Sequence, residues 1–401
     1  MTRRIAILLT LLLAASARSE SPLSGLGYGW QASASSVRAS GMGSAALAAP
    51  DTLALDLLSP ANWSGRHVTR FGFGVFISHN NASDRFGDDA SGDGGFTGVG
   101  FAAPVYHSII LGATLTPYTT LSYRQRWTDT LDWSEATTRR QGDGGLSQVL
   151  IGASLPMGQN ARLGLAERVI LGKIERLWAV SFTESGANSA SETISDRYDG
   201  FGWSLSGAWS DGTWGAGAVI NTPLEATVEH RKVVASGGAA QVDSTSKLSE
   251  KTELPLEASF GVSRRCAEHL FALEFAWQRW GSVKKQAGII ERIDDGTRAS
   301  AGWEWTPKYR SLDPAWRELS YRAGFYTTGS YALPSSGRQP RRFALTAGIG
   351  VPYAANASRL DIAVELGWTG DKTQVGVRER HFLLTFGLNH SELWFTGRRE
   401  R

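Results

Sequence analysis

The 401-residue sequence has one cysteine, three methionines and a single compact apolar run, Ile5 to Ala15. A transmembrane helix takes about 20 apolar residues, so that run excludes a polytopic helical membrane protein. Cys266 stands alone, which rules out a disulfide framework, and no cysteine follows the leader to be acylated as in a lipoprotein. His-x-x-x-His, paired-cysteine and acidic metal spacings are also missing, so no metal and no cofactor is expected. Strong charge of either sign is lacking as well, with Lys+Arg 41 against Asp+Glu 38.

Part of that small excess belongs to a leader. Arg3 and Arg4 form a positive n-region, Ile5 to Ala15 the h-region, and Ala15-Ser16-Ala17 a small-residue cleavage site, with a cut after Ser19 as the alternative. Residues 1–19 are therefore read as a signal peptide. Its removal takes Lys+Arg from 41 to 38 against 38 acids, so the mature chain is formally neutral and nothing favours nucleic acid.

What the sequence does have is glycine, tryptophan and a period of two. Its 46 glycines exceed the usual share of about 7%. In Leu360 to Trp368, one face carries Leu360, Ile362, Val364, Leu366 and Trp368, and the other Asp361, Ala363, Glu365 and Gly367. The last strand repeats this with Phe382, Leu384, Phe386 and Leu388, and earlier copies include Phe271/Leu273/Phe275/Trp277 and Phe71/Phe73/Val75/Ile77. Such alternation suits a soluble sandwich and a membrane barrel alike. Three features favour the barrel. The exported chain has no disulfides, its apolar faces end in Trp, Tyr or Phe as at membrane interfaces, and its connections alternate between long and short.

The fold class expected is all-β, a transmembrane antiparallel barrel of about 14 strands with a small N-terminal hatch inside it. Its strands are placed near 67–78, 95–103, 109–124, 146–155, 161–182, 197–209, 213–230, 251–263, 270–281, 298–306, 319–328, 341–353, 359–370 and 378–389. Long polar loops are expected at 79–94, 125–145, 183–196, 231–250, 282–297 and 329–340, and short turns at the other end. The domain reading is signal peptide 1–19, hatch 20–65, barrel 66–389 and a basic tail 390–401. Within the hatch, Asp51 is expected to cap a helical turn over Thr52 to Leu58, stopped by Pro60.

The hatch sequence is also the specific one. Ser40-Gly41-Met42-Gly43-Ser44-Ala45-Ala46-Leu47-Ala48, then Asp51, then Leu58-Ser59-Pro60-Ala61-Asn62-Trp63, resembles the opening of the FadL/TodX family of outer-membrane long-chain fatty-acid and hydrophobic-compound transporters, and also that of PorV-like barrels. Leu115-Thr-Pro117-Tyr118, Leu254-Pro255-Leu256, Phe275 to Gly281 and Tyr321 to Tyr326 continue the likeness, which spans nearly the whole mature chain. Ser59 departs from it, standing where the family has Asn before Pro-Ala.

The resemblance implies passive uptake of hydrophobic molecules across the outer membrane by ligand binding, hatch displacement and lateral release. Hatch and ligand-binding candidates are Met42, Leu55, Leu57, Leu58, Pro60, Ala61, Asn62 and Trp63, with packing of the plug against the wall as the other reading. Gly112, Pro117 and Tyr118 are candidates for a lateral opening, because proline cannot donate to a ladder and glycine weakens one. Glu257, Glu274, Glu304, Arg322, Arg342, Asp361 and Glu365 are read as a lumen polar network, either a gate or a self-paired filling. No catalysis is expected, since the sequence-adjacent His107-Ser108 and His390-Ser391 face opposite ways in regular strand. Expected partners are outer-membrane lipid and lipopolysaccharide, hydrophobic small molecules and the barrel-assembly machinery for insertion, with the protein a monomer. The alternative is a PorV-like, non-transporting barrel that serves as a scaffold or attachment factor for secreted proteins.

Overall fold

Which way each strand residue faces decides the architecture. In the computed structural model, which describes residues 21–32, 36–64, 68–85, 87–106, 108–131, 134–183, 188–236, 246–283, 292–310, 313–353 and 357–392, the apolar set faces outward. Phe201 is 67% exposed and Leu273 59%, whereas Asp361 and Arg168 are 0% exposed. A sandwich in water would reverse these positions. This exterior matches hydrocarbon, and the polar faces fill the lumen.

The hatch contributes a two-residue strand, β1 (Trp30–Gln31), and a short helix, Val37–Gly41. The wall begins with β2 (Thr69–Ser83), β3 (Asp88–Tyr106), β4 (Ile109–Leu131), β5 (Ser134–Met157), β6 (Ala161–Phe182) and β7 (Ala190–Ser210). It continues with β8 (Trp214–Asn221), β9 (Leu224–Ser236), β10 (Ser246–Leu254), β11 (Glu257–Cys266), β12 (His269–Gln278) and β13 (Gly296–Trp305). The last four are β14 (Ser320–Gly329), β15 (Arg341–Tyr353), β16 (Ser358–Asp371) and β17 (Val377–Glu392). All wall pairings are antiparallel, and β17 closes the barrel on β2, with Phe386 opposite Val75.

Sixteen wall segments make fourteen strands. β8 and β9 are one strand interrupted at Thr222-Pro223, and β10 and β11 are one strand interrupted at Pro255-Leu256. The breaks lie side by side, between the pairs Leu254–Leu224 and Glu257–Asn221. Neither proline has an N–H to offer the ladder.

The expected polar loops need correction, because strands run well into 79–94, 125–145, 183–196 and 231–250. The β4–β5 ladder runs to Leu131–Ser134, and β6 pairs β7 as far as Val180–Ala190. About 9–11 residues cross a membrane, yet β4 to β7 hold 23, 24, 22 and 21 residues. Beyond the bilayer the outward face no longer has to be apolar, so Arg, Thr and Gln take those positions while the backbone ladder continues. Across the barrel, β12 to β14 hold only 10 residues each. One flank of the wall thus stands much taller than the other.

The helical turn expected at 52–58 does not form. Asp51 Oδ1 accepts the Leu53 N–H at 2.8 Å, and Asp56 Oδ1 accepts those of Leu58 and Ser59 at 3.0 and 3.1 Å. These side-chain turns outcompete a helix. The hatch helix lies earlier, at Val37–Gly41, where Ser36 Oγ caps the Ala39 N–H at 3.2 Å. Residues 1–19, read as the signal peptide, lie outside the described residues. The segment read as a tail continues β17 to Glu392, and the rest of it lies outside them too.

Candidate functional site

The hatch threads the lumen, and small residues set how closely it meets the wall. Met42 lies directly on Gly302 and Gly324, where a Cβ would sit 2.4 and 2.3 Å from its carbonyl group. Trp63 covers Gly112 in the same way, at 2.6 Å. Leu55, Leu57 and Trp63 pack with Ala102, Ile110, Leu150 and Ala166 of the wall. Ala61 donates its N–H to Ser206 Oγ at 2.8 Å, Pro60 and Ala61 press on Gly164, and Asn62 Nδ2 bonds Asp56 Oδ2 at 2.8 Å. Of the hatch residues singled out in the sequence, Leu58 reaches the inner cavity described below and Asn62 a small void of ≈ 20 Å³ within the hatch, and the others face wall or hatch.

A closed ring of ion pairs ties the hatch to the wall. Arg38 holds Glu304 of β13 through Nε and Nη2 at 2.8 and 2.9 Å, Glu304 meets Arg322 of β14 at 2.7 Å, and Arg322 meets Asp361 of β16 at 2.6 Å. Asp361 then binds Arg359 at 2.8 Å, Arg359 binds Asp51 at 2.6 Å, and Asp51 returns to Arg38 at 3.0 Å. Burial alone would raise the Asp51 pKa, but the guanidiniums of Arg359 and Arg38 hold its carboxyl well below the usual range. Asp56 lies outside the ring. Burial outweighs its hydrogen bonds and pushes its pKa up to about 6. The ring gathers Glu304, Arg322 and Asp361 of the expected lumen network. It adds Arg38 and Arg359, which the sequence reading missed, although Arg38 is the only charged residue between Ser21 and Pro50, and Asp51, expected there only as a helix cap.

The other network residues form separate groups. Glu257 accepts from Tyr118 Oη at 2.6 Å, Asn221 at 2.9 Å and Gln278 at 3.3 Å, and pairs with Arg168 at 3.0 Å. Glu274 binds Arg298 at 2.8 Å and accepts the N–H groups of Ala46 and Leu47 at 3.2 and 3.1 Å. Glu365 accepts from Tyr326 at 2.6 Å and lies 2.7 Å from His381 Nε2. Arg342 donates to Thr369 at 3.0 Å and stacks over the Trp30 ring at 4.3 Å.

Above the membrane the hatch meets the surface loops. Trp280 and Tyr331, from the connections after β12 and β14, stack at 4.0 Å, and Tyr28 lies 5.9 Å from Trp280. Tyr331 Oη accepts the Tyr28 N–H at 2.6 Å. All three rings are fully buried beside Tyr198, Leu121 and Ile174, so this packed core caps one side of the lumen.

The wall itself divides at β3 and β4. Their ladder runs only from Val99–Leu115 down to Tyr106–Ile109, although both strands continue upward. At Pro117 the pairing of β4 with β5 slips, and Tyr118 turns inward to Glu257. Just above, β4 takes the hatch strand as a neighbour, with Trp30 opposite Thr120 and Gln31 opposite Thr119. Pro117 and Tyr118 thus lie at the split. Gly112 lies below it in continuous ladder, opposite Ala102 and Gly152.

Two cavities flank β1. The inner one, ≈ 140 Å³, lies among the hatch, Tyr118, Asn221, Glu257, Glu274 and Trp277. The outer one, ≈ 230 Å³, is bordered by Phe76, Phe96 and Thr97 of β2 and β3, Pro117 of β4, and Arg342 and His381. Trp30, Gln31, Pro117 and Tyr326 line both, so the hatch strand is the partition between them.

One arrangement has the look of catalysis. Ser358 Oγ lies 2.6 Å from His390 Nδ1 across β16 and β17, with Glu392 3.6 Å beyond Nε2. Ser358 is 0% exposed and borders neither cavity, so the pair joins two strands at the short-turn rim. Among the described residues, no group of three or more His, Cys, Asp or Glu is placed to hold a metal.

A protein-family model described as BamG matches residues 1–400. No curated protein matches the chain in sequence. Among solved structures, a FadL homologue from Pseudomonas aeruginosa aligns with a TM-score of 0.62 and 12% identity, over 90% of this chain and 99% of that one. The Pseudomonas putida toluene transporter TodX aligns at 0.61 and 15%, over 91% and 99%. The Ralstonia pickettii toluene transporter TbuX aligns at 0.57 and 12%, over 90% and 98%. At such identities the likeness is one of fold, that of a fourteen-stranded outer-membrane barrel.

Proposed function

The chain belongs to the BamG family, and from that premise and the geometry of its wall we propose that it is an outer-membrane protein for passive uptake of small hydrophobic compounds. The observation that carries this reading is the pair of cavities divided by Trp30, the outer one bordered by the split between β3 and β4. A hydrophobic solute gains nothing from a water-filled pore. It needs an apolar resting place and an exit into lipid. The ion-pair ring ties the hatch to the wall inside the lumen, which supports a lateral exit beside Pro117 over passage straight through the hatch. The FadL homologue, TodX and TbuX, named as transporters or as a transporter's homologue, support the same direction. The cycle is then entry from the surface, binding beside Trp30, displacement of the hatch strand and release between β3 and β4. No bond is made or broken. In this reading the protein works as a monomer among outer-membrane lipid and lipopolysaccharide, inserted by the barrel-assembly machinery.

Locking the hatch strand tests this. Gln31 and Thr119 are antiparallel partners, and Cα atoms so paired stand about 4.5–5.5 Å apart, within reach of a disulfide. In a Cys266→Ser background, Gln31→Cys with Thr119→Cys should abolish uptake of hydrophobic solutes when oxidised and recover it when reduced.

A second reading draws on the ring itself, since a hatch held by six buried charges suits a rigid, non-transporting scaffold for secreted proteins. Uptake unaffected by gene deletion, together with loss of secreted proteins from the surface, would decide for the scaffold.

A further inference from the structure

Above the membrane, β4 stands with one edge open. Its ladder with β5 continues to Leu131–Ser134, whereas its pairing with β3 stops at Val99–Leu115. The hatch fills the next stretch of that edge. Trp30 and Gln31 pair with Thr120 and Thr119, Ser21 donates its N–H to the Ser122 carbonyl at 2.9 Å, and Ser122 donates its own to Ser24 Oγ at 3.1 Å. Above Ser122, no strand among the described residues pairs with this edge. Asp93, Phe96 and Thr97 of β3 stand across the outer cavity from Thr120 and Ser122, so β3 leaves the edge uncovered.

Ser122 turns both of its backbone groups toward the hatch. In an extended antiparallel strand, alternate residues present both groups to the same edge, so Arg126, Thr128 and Thr130 turn theirs to the open side. Residues 124–130 are all exposed. Such a row of N–H and C=O groups is a template for another strand, and proteins blunt it with lysine, proline or a bulge. Arg124 to Thr130 contains no lysine and no proline, and its pairing with β5 runs without a register shift.

The side chains along the edge define the strand that fits. Counting from Leu121, which is buried against the lumen, Trp127 faces inward and Arg126 outward. Arg126 is the direct ladder partner of Arg139, and among the described residues neither makes an ion pair. Like charges directly opposite one another destabilise a sheet, and an acid arriving beside them relieves this. On the inward face, Trp127 is 38% exposed, with Arg140 5.5 Å over its ring, so an incoming side chain there meets an indole.

We propose that the edge of β4 from Arg124 to Thr130 takes an extended, acidic segment of another protein as an added strand, on the outer side of the membrane. Its acids lie outward beside Arg126 and Arg139, and its apolar residues lie inward against Trp127. In strand addition, main-chain hydrogen bonds supply affinity and alternate side chains supply specificity. The hatch strand shows the same mode lower on the same edge, at Thr119 and Thr120. This docking surface is separate from the two cavities and does not depend on the uptake reading.

The test uses the full barrel in detergent and fluorescein-labelled peptides as long as the edge: alternating glutamate and valine, alternating lysine and valine, and the first with every backbone nitrogen methylated. Fluorescence anisotropy gives each affinity. The glutamate peptide should bind at least about tenfold tighter than the lysine peptide, and methylation should abolish binding. Arg126→Glu should weaken the glutamate peptide about fivefold or more. Thr128→Pro, which removes an N–H from the open edge and none from the β5 ladder, should weaken it as well. Both variants should keep the heat-dependent gel mobility of the folded barrel. Equal binding of the acidic and basic peptides, binding that survives methylation, or no peptide binding overturns the proposal. Lipopolysaccharide is the rival occupant. If it alone binds, and Arg126→Glu removes it while Thr128→Pro does not, the arginines serve lipid phosphate and the added strand is refuted.

Discussion

At the scale of single residues, burial sets what each charge is worth. Lys173 and Glu175 form an exposed pair, and breaking such a pair costs at most about 1 kcal/mol. Arg38 is 3% exposed and serves Glu304, Asp51 and the Ala49 carbonyl. Removing one partner of a buried pair costs about 3–5 kcal/mol, because the charges left behind stay desolvated. Arg38→Ala should therefore loosen the hatch by that amount, seen as protease cleavage within residues 36–64, while Lys173→Ala leaves the hatch resistant. The ring also shows where sequence reading stops. Glu304, Arg322 and Asp361 were legible as inward-facing charges because their strands alternate. Of their hatch partners, Arg38 lies in a helix of five residues, too short to show a period, and Asp51 in irregular backbone, although a lone arginine among Gly, Ala and Ser is itself a signal.

At the scale of elements, strands were readable where lipid demands an alternating face. The strand expected at 161–182 matches β6, Ala161–Phe182, at both ends, because its outward residues are Leu and Val for much of its length. Where strands leave the membrane the demand lapses, and the polar upper parts of β4, β5, β7 and β9 read as loops. This separates what the hairpins do in the bilayer from what they do above it. Arg126 and Arg139 are ladder partners near the tip of the β4–β5 hairpin. Excising residues 126–139 and joining Gln125 to Arg140 through an Asn-Gly turn should leave a barrel that inserts and keeps its heat-dependent gel mobility, because the buried Leu121 and Leu146 lie below the cut. Loss of the folded band would show that the projecting sheet is needed for barrel assembly.

At the scale of the whole molecule, a fourteen-stranded wall encloses more lumen than its own side chains fill, and the hatch supplies much of the remainder. The protein should be electrically closed in a planar bilayer, whereas a variant lacking residues 21–63 should show stepwise ion conductance. A silent deletion variant would mean that the wall and surface loops alone block the pore. The architecture was the most legible level of all, because export, neutrality, period two and alternating connections agree with one another. The split between β3 and β4 was legible only as a proline in a strand, and what occupies the edge of β4 there, the hatch strand itself, was not.

The ring of Arg38, Glu304, Arg322, Asp361, Arg359 and Asp51 alternates in sign and closes on itself, three positive charges against three negative. Seen from a distance such a circle is nearly neutral, so an electric field across the membrane has little to pull on. Being buried, it is also poorly reached by salt, whose screening acts on exposed charges. The ring is thus insulated from ionic strength and from surface potential. In the uptake reading, what displaces the hatch arrives as matter, touching it or one of the loops that grip it.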